Sequence, residues 1–251
     1  MPTTAEMEKL RERSIAKVDA NAALDHIATL VDTSLDAQFK RSVERAFYLL
    51  DELAKRELTP RQSALIEYFR ANGGSAKEEL AGERGSWDWE HAEREQQILA
   101  LSRAAAHPGF AELDIVRRCQ ILTNRANQLD IMGRFVDAIE GWDKALQIVP
   151  NFAMALANRG FGLKHYAGLL EDDRERAILL LHAHDGFAAA LAPDAIYVGE
   201  DQTGLRRQFA ATAAEYAAAA DLDRIRALQD LDGAGLGRSK AERAYRRWCL
   251  D

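Results

Sequence analysis

The chain has 251 residues, 47% of them apolar and 29% charged, with a formal net charge of −7. That composition belongs to a folded protein, and its acidic balance argues against bulk attraction to nucleic acid or to an anionic membrane surface. Two distant cysteines, Cys119 and Cys249, exclude a disulfide framework, and a polar N-terminus with no long apolar run excludes a secretion signal or membrane span, which leaves a reduced cytoplasm as the simplest setting.

Alanine, leucine, glutamate and arginine dominate over five prolines and sixteen glycines, so helix is predicted nearly throughout. Thr3 to about Ala20 reads as a charged helix with a thin stripe of Leu10, Ile15 and Val18, followed by a second helix from Ala22 to Val31. From Leu35, the residues Phe39, Val43, Ala46, Phe47, Leu50, Leu53 and Ala54 recur at helical spacing, and Thr59-Pro60 stops the run. RQSALIEYFRANGG then predicts a helix ended by Gly73-Gly74. A polar stretch leads to Trp87 and Trp89, which stand beside His91 and serve either as core anchors or as stacking platforms. The next helix, in HAEREQQILALSRAAAHPGF, stops at Pro108.

The stretch Cys119 to Phe152 resembles one tetratricopeptide repeat. Two antiparallel helices in that pattern need small residues where their backbones approach and a proline where the second helix stops. Ala126, Ala138, Ala145 and Pro150 occupy those positions, and Gly133 supplies the left-handed turn between the helices. Directly behind it, AMALANRGFGLKHYA places Leu156, Gly160 and Leu163 in phase with a second repeat, which EDDRER interrupts before a helix from about Ala177 to Leu191. Beyond Pro193, AIYVGEDQTG reads as a loop, then LRRQFAATAAEYAAAA and LDRIRALQDL as helices, and GAGLGR as a break before the terminal SKAERAYRRWCLD. The expected fold is all-α, a right-handed α-α superhelix of tetratricopeptide-like pairs. Residues 1–34 form N-terminal helices, 35–193 the helix pairs (best repeat 119–152, next 153–193 with an insertion), and 194–251 the C-terminal helices.

CQILTNRANQ, GRFVDAIEGWDKALQIVPNF, MALANRGFGLKHYA and AYRRWCL together resemble the N-terminal region of a bacterial family that couples such repeats to a C-terminal HEPN domain, a helical fold found in ribonucleases of toxin and phage-defence systems. The likeness runs from about Arg61 to Asp251 and is most specific over Cys119 to Ala167. It implies a repeat module whose effector domain lies in a continuation of the chain, so ribonuclease activity does not come with it. Arg84 with His91, Arg159 with His165, and Arg176 with His182 each match the loose arginine–histidine spacing of a HEPN site, which keeps a dimeric ribonuclease as the alternative. Three matches among six histidines give that spacing little weight.

His182, His184 and Asp185, near Glu171, Asp172 and Asp173, invite a metal reading, but helical positions two apart point to different sides. No phosphate loop, nucleophile elbow or His-Glu-x-x-His motif is present, so neither cofactor nor metal is expected. Stacked helix pairs leave a concave face lined by the first helix of each pair. In phase with the pattern, that face carries Asn127, Asp130, Phe161, Lys164 and His165, with Gln120, Thr123, Ile131, Met154 and Ala157. Asn124, Asn158 and Arg159 lie beside them, either holding a peptide or bonding neighbouring backbone. The stripe at Tyr245 and Trp248 is expected to dock on an effector domain or a second copy, and Arg238, Lys240, Arg243, Arg246 and Arg247 form the densest basic patch. The expected function is a non-catalytic scaffold for a protein or peptide partner.

Overall fold

The computed structural model describes residues 4–82, 91–198 and 202–220. Among the described residues there are ten α-helices and one short 3-10 helix, and the β-type pairing is an isolated bridge between Phe152 and Ile196, so the fold is all-α. Two units divide at Gly133, the glycine that the sequence assigns to a left-handed turn and that has φ +73°. No helix among the described residues is long and apolar enough to cross a membrane.

The first unit holds α1 (Thr4–Glu12), α2 (Ala20–Asp36), α3 (Lys40–Leu53), α4 (Pro60–Ala81), α5 (Ala92–Ala106), the 3-10 helix Pro108–Glu112 and α6 (Ile115–Ile131). Three of its helix starts are written in short polar residues. Asp19 caps α2 by accepting from the backbone N–H groups of Asn21 and Ala22, and Asp114 caps α6 by accepting from Arg117. Thr59 and Gln62 form a capping box around Pro60, so Thr59-Pro60 begins α4, while α3 has already ended at Leu53. The core gathers Ile27 and Leu30 of α2, Leu49, Leu50 and Leu53 of α3, Ala64 of α4 and Ala104 of α5, each less than 2% exposed.

Several boundaries differ from the sequence reading. The first helix ends at Glu12, well short of Ala20, because Arg56 reaches back from beyond α3 and donates to the carbonyls of Val18 (2.9 Å) and Ile15 (2.7 Å). Those bonds hold residues 13–19 as a connection. The helix α4 runs straight through Gly73-Gly74 and ends at Gly82, which has φ +73°. The two glycines make room for neighbours: a Cβ on Gly73 would lie 3.1 Å from the Phe47 ring, and one on Gly74 3.0 Å from the Gln97 side chain. They are spacers for α3 and α5, and a mid-helix glycine read without its neighbours looks like a stop.

The second unit holds α7 (Phe135–Ile148), α8 (Ala153–Ala167), α9 (Asp173–Ala190) and α10 (Gln202–Ala220). The helix α9 starts four residues before the expected Ala177, since the Asp172 carboxylate accepts from the backbone N–H of Glu175 at 2.9 Å. EDDRER thus contains a helix start. After α9 the chain returns to the head of α8, where Ile196 donates to Asn151 and accepts from Ala153, so the expected loop is tied down there. Ala153, Ala157, Phe187, Ala190 and Phe209 form the core shared by α8, α9 and α10. Arg206 of α10 lies over the Tyr197 ring and donates to Leu191 at the end of α9, a cation on the carbonyl end of a helix. Trp87, Trp89, Arg84, the expected helix over Leu222–Leu231, the basic group Arg238 to Arg247, and Tyr245 and Trp248 lie outside the described residues.

Candidate binding face

In the first unit, α2, α4 and α6 each send polar side chains into one cavity of about 220 Å³, and α5 adds Gln97 and Leu101 to its wall. On α4 and α6, side chains four apart lie above one another on a common face. Asn72 and Ala76 come from α4 in this way, and Asn124 and Gln128 from α6. The amide of Asn124 donates to the side-chain oxygen of Asn72 at 3.1 Å, tying α6 to α4 across the cavity. Beside it, the buried Tyr68 hydroxyl bonds Asn72 and Arg117, and the Arg117 guanidinium stands 4.4 Å from the Tyr68 ring centre. Burial raises the Tyr68 pKa, outweighing the opposing pull of Arg117, so this hydroxyl stays protonated.

Behind the cavity lies a buried ion pair. Glu78 faces Nε of Arg94 at 3.4 Å and accepts from Nε2 of Gln97 at 2.6 Å. His91 is 3.9 Å from the same carboxylate, but its Nδ1 already accepts from the backbone N–H of Arg94 as the cap of α5. A nitrogen that accepts there has no proton to give Glu78, so His91 acts as a cap rather than as a third member of the pair. A larger hollow of about 630 Å³ lies over α3, α4 and α5, with Val43, Phe47 and Ala100 in its lining. Three of its cations are paired: Arg70 with Asp51, Lys77 with Glu93, and Arg103 with Glu67.

The residues expected on the concave face divide between the units. Asn124 and Asn127 line the cavity of the first unit. Asp130 is buried on α6 and does not line it, and Thr123 is also buried. Asn158, Arg159, Phe161, Lys164 and His165 all lie on α8 in the second unit. Arg159 is buried and donates to Asp143 at 2.6 Å, and Phe161 packs edge-on against Phe187 with ring centres 4.8 Å apart. The His165 ring tilts against Phe135, while Lys164 is exposed. Of the arginines in the histidine pairs, Arg159 is held by Asp143 and Arg176 donates to the carbonyl of Leu170. Among the described residues, no group of three or more His, Cys, Asp or Glu could hold a metal. Cys119 is buried, and burial pushes its thiol up, the mark of a packing residue rather than a nucleophile.

No protein-family model matches this chain, and no curated protein or solved structure does. Its own geometry therefore carries the functional reading. Sequence reasoning missed Asp32, Asn72, Glu79, Gln97 and Gln128 as cavity residues. Reading RANGG as a helix end hid Glu79, which lies beyond Gly74 and has no face to be placed on once the helix is stopped there. The spacing of Asn124 and Gln128 was an available signal that went unused.

Proposed function

We propose that the chain is a non-catalytic protein-interaction or sensor scaffold, built as a right-handed stack of tetratricopeptide-like helix pairs and serving as the repeat module of a bacterial toxin or defence-type system. The observation that carries this reading is the shared cavity of α2, α4 and α6, because a stack of helix pairs exposes alternate helices on its ligand-bearing face. Asn124 and Asn127 belong to it, and amides suit the backbone of an extended peptide, offering both a donor and an acceptor. Within the second unit, Asn158, Lys164 and His165 of α8 are the proposed ligand-contacting residues, and Tyr245 and Trp248 are the proposed docking edge.

The test is a peptide display library panned over the purified protein. Sequences enriched by the wild type are expected to lose at least about tenfold in affinity against the double variant Asn124→Ala/Asn127→Ala, checked for native helicity by circular dichroism. Failure to enrich any sequence, or equal retention by the double variant, overturns the reading. The same sample incubated with total RNA is expected to leave it intact. Cleavage that disappears in His165→Ala or His182→Ala would instead make the chain a nuclease.

A further inference from the structure

We propose that Arg13 and Arg45 form a binding site for the phosphate group of a monoester, where the connection after α1 meets α3. The site goes beyond the scaffold reading and shares no residue with the cavity of α2, α4 and α6. Arg45 of α3 is held in a fixed pose: its Nε donates to the carbonyl of Arg11 at 3.1 Å, and its guanidinium stands 4.8 Å from the Tyr48 ring centre. The two terminal nitrogens of that guanidinium have no hydrogen-bond partner among the described residues, and they form a planar fork suited to two oxygens of one phosphate. Arg13 starts close by. The Arg11 carbonyl lies two residues before it, and its own backbone N–H bonds the Leu10 carbonyl at 3.3 Å, so the chain turns tightly beside Arg45.

The carboxylates of α1 are engaged elsewhere. Glu8 pairs with Arg11 at 2.7 Å and with Arg41 at 3.6 Å, and Glu12 faces Arg11 at 3.8 Å. Neither Arg13, which is exposed, nor Arg45 has an ion pair among the described residues. Both guanidiniums act on one point. His26 of α2 is 5% exposed with neither ring nitrogen hydrogen-bonded, and its pKa is held below the ordinary value first by burial and then by the charges of Arg13 and Arg45. Its nitrogens are sealed, so the ring touches no ligand; it marks where the two positive fields overlap. A bound anion relieves the repulsion between them. Net charge selects which anion: a carboxylate leaves one of the two cations unmatched, whereas a phosphate monoester carries about −1.5 to −2 at pH 7 and offers three oxygens.

The experiment is a titration of the full ¹⁵N-labelled chain with methyl phosphate at pH 7.5, at ionic strength held constant with chloride, followed at the Nε–H resonances of Arg13 and Arg45. Saturable shifts of both are expected, with acetate binding at least about tenfold more weakly. Arg13→Gln and Arg45→Lys should each weaken methyl phosphate by at least about tenfold, the second because it keeps the charge and loses the fork. Arg13 is exposed, so its variant should fold whatever becomes of Arg45. A separate readout needs no ligand: the His26 pKa, followed at its ring resonances, should rise in Arg13→Gln. A phosphoserine peptide binding at least about tenfold tighter than methyl phosphate would place the group on a partner polypeptide, and equal affinity on a small ester. No saturable shift, an equal response to acetate, or an affinity or His26 pKa unmoved in Arg13→Gln overturns the proposal.

Discussion

His26 is buried on α2 at 5% exposure, and neither ring nitrogen has a hydrogen-bond partner. Burial lowers its pKa below 6.5, and the charges of Arg13 and Arg45 lower it further, so the ring is neutral in the folded chain. The unfolded chain then binds more protons than the folded one as pH falls through 6.5, which makes stability rise with pH across that range. Urea unfolding should accordingly give a lower midpoint at pH 5.5 than at pH 7.5, and His26→Leu should flatten the difference. A slope unchanged in His26→Leu would place the acid sensitivity elsewhere. Arg56 permits a sharper test at the same scale. Removing its guanidinium leaves the carbonyls of Ile15 and Val18 without their donor, and Arg56→Ala should cost about 1–3 kcal/mol in urea unfolding. Neither role was legible in the sequence, because each depends on a partner more than ten residues away.

At the scale of helices, the ends were more legible than the faces. Gly133 was read as a left-handed turn and has φ +73°, so Gly133→Ala should cost about 1 kcal/mol through backbone strain alone. Thr59→Ala removes half of a capping box and should cost about the same, seen as a lower melting temperature with little change in helicity. Gly73-Gly74 misled because the same residue type either ends a helix or admits a neighbour, and only the packing of Phe47 and Gln97 tells the two apart. Gly109 is the extreme case. A Cβ there would fall 2.1 Å from the backbone carbonyl carbon of Pro60, so Gly109→Ala must push the 3-10 helix off the start of α4 and should destabilise more than either substitution above.

For the molecule as a whole, the all-α class followed from composition and helical periodicity, both local properties that survive without knowledge of packing. The buried positions Ala126, Ala138 and Ala145 were also legible, each at 0% exposure, because the repeat pattern fixes small residues by count. The cavity was only half legible. Asn124 and Asn127 were named from their phase, whereas Gln97 joins from α5, a helix outside that phase, and Asp32 from α2, which preceded the expected repeats. If the scaffold reading holds, ligand should raise the stability of the unit Met1–Gly133, and its melting temperature should climb with ligand concentration.

Gly160 and Gly186 lie in α8 and α9, and each meets a carbonyl of the other helix: a Cβ on Gly160 would be 2.9 Å from the Ala183 oxygen, and one on Gly186 3.0 Å from the Leu156 oxygen. Two backbones this close leave no gap for solvent to enter at the crossing. Amide hydrogens on either side of it can exchange with deuterated water only when the helices separate, so the central turns of α8 and α9 should exchange together and slowly. A ligand that braces α8 would then slow exchange in α9 as well, reporting its arrival on a helix it never touches.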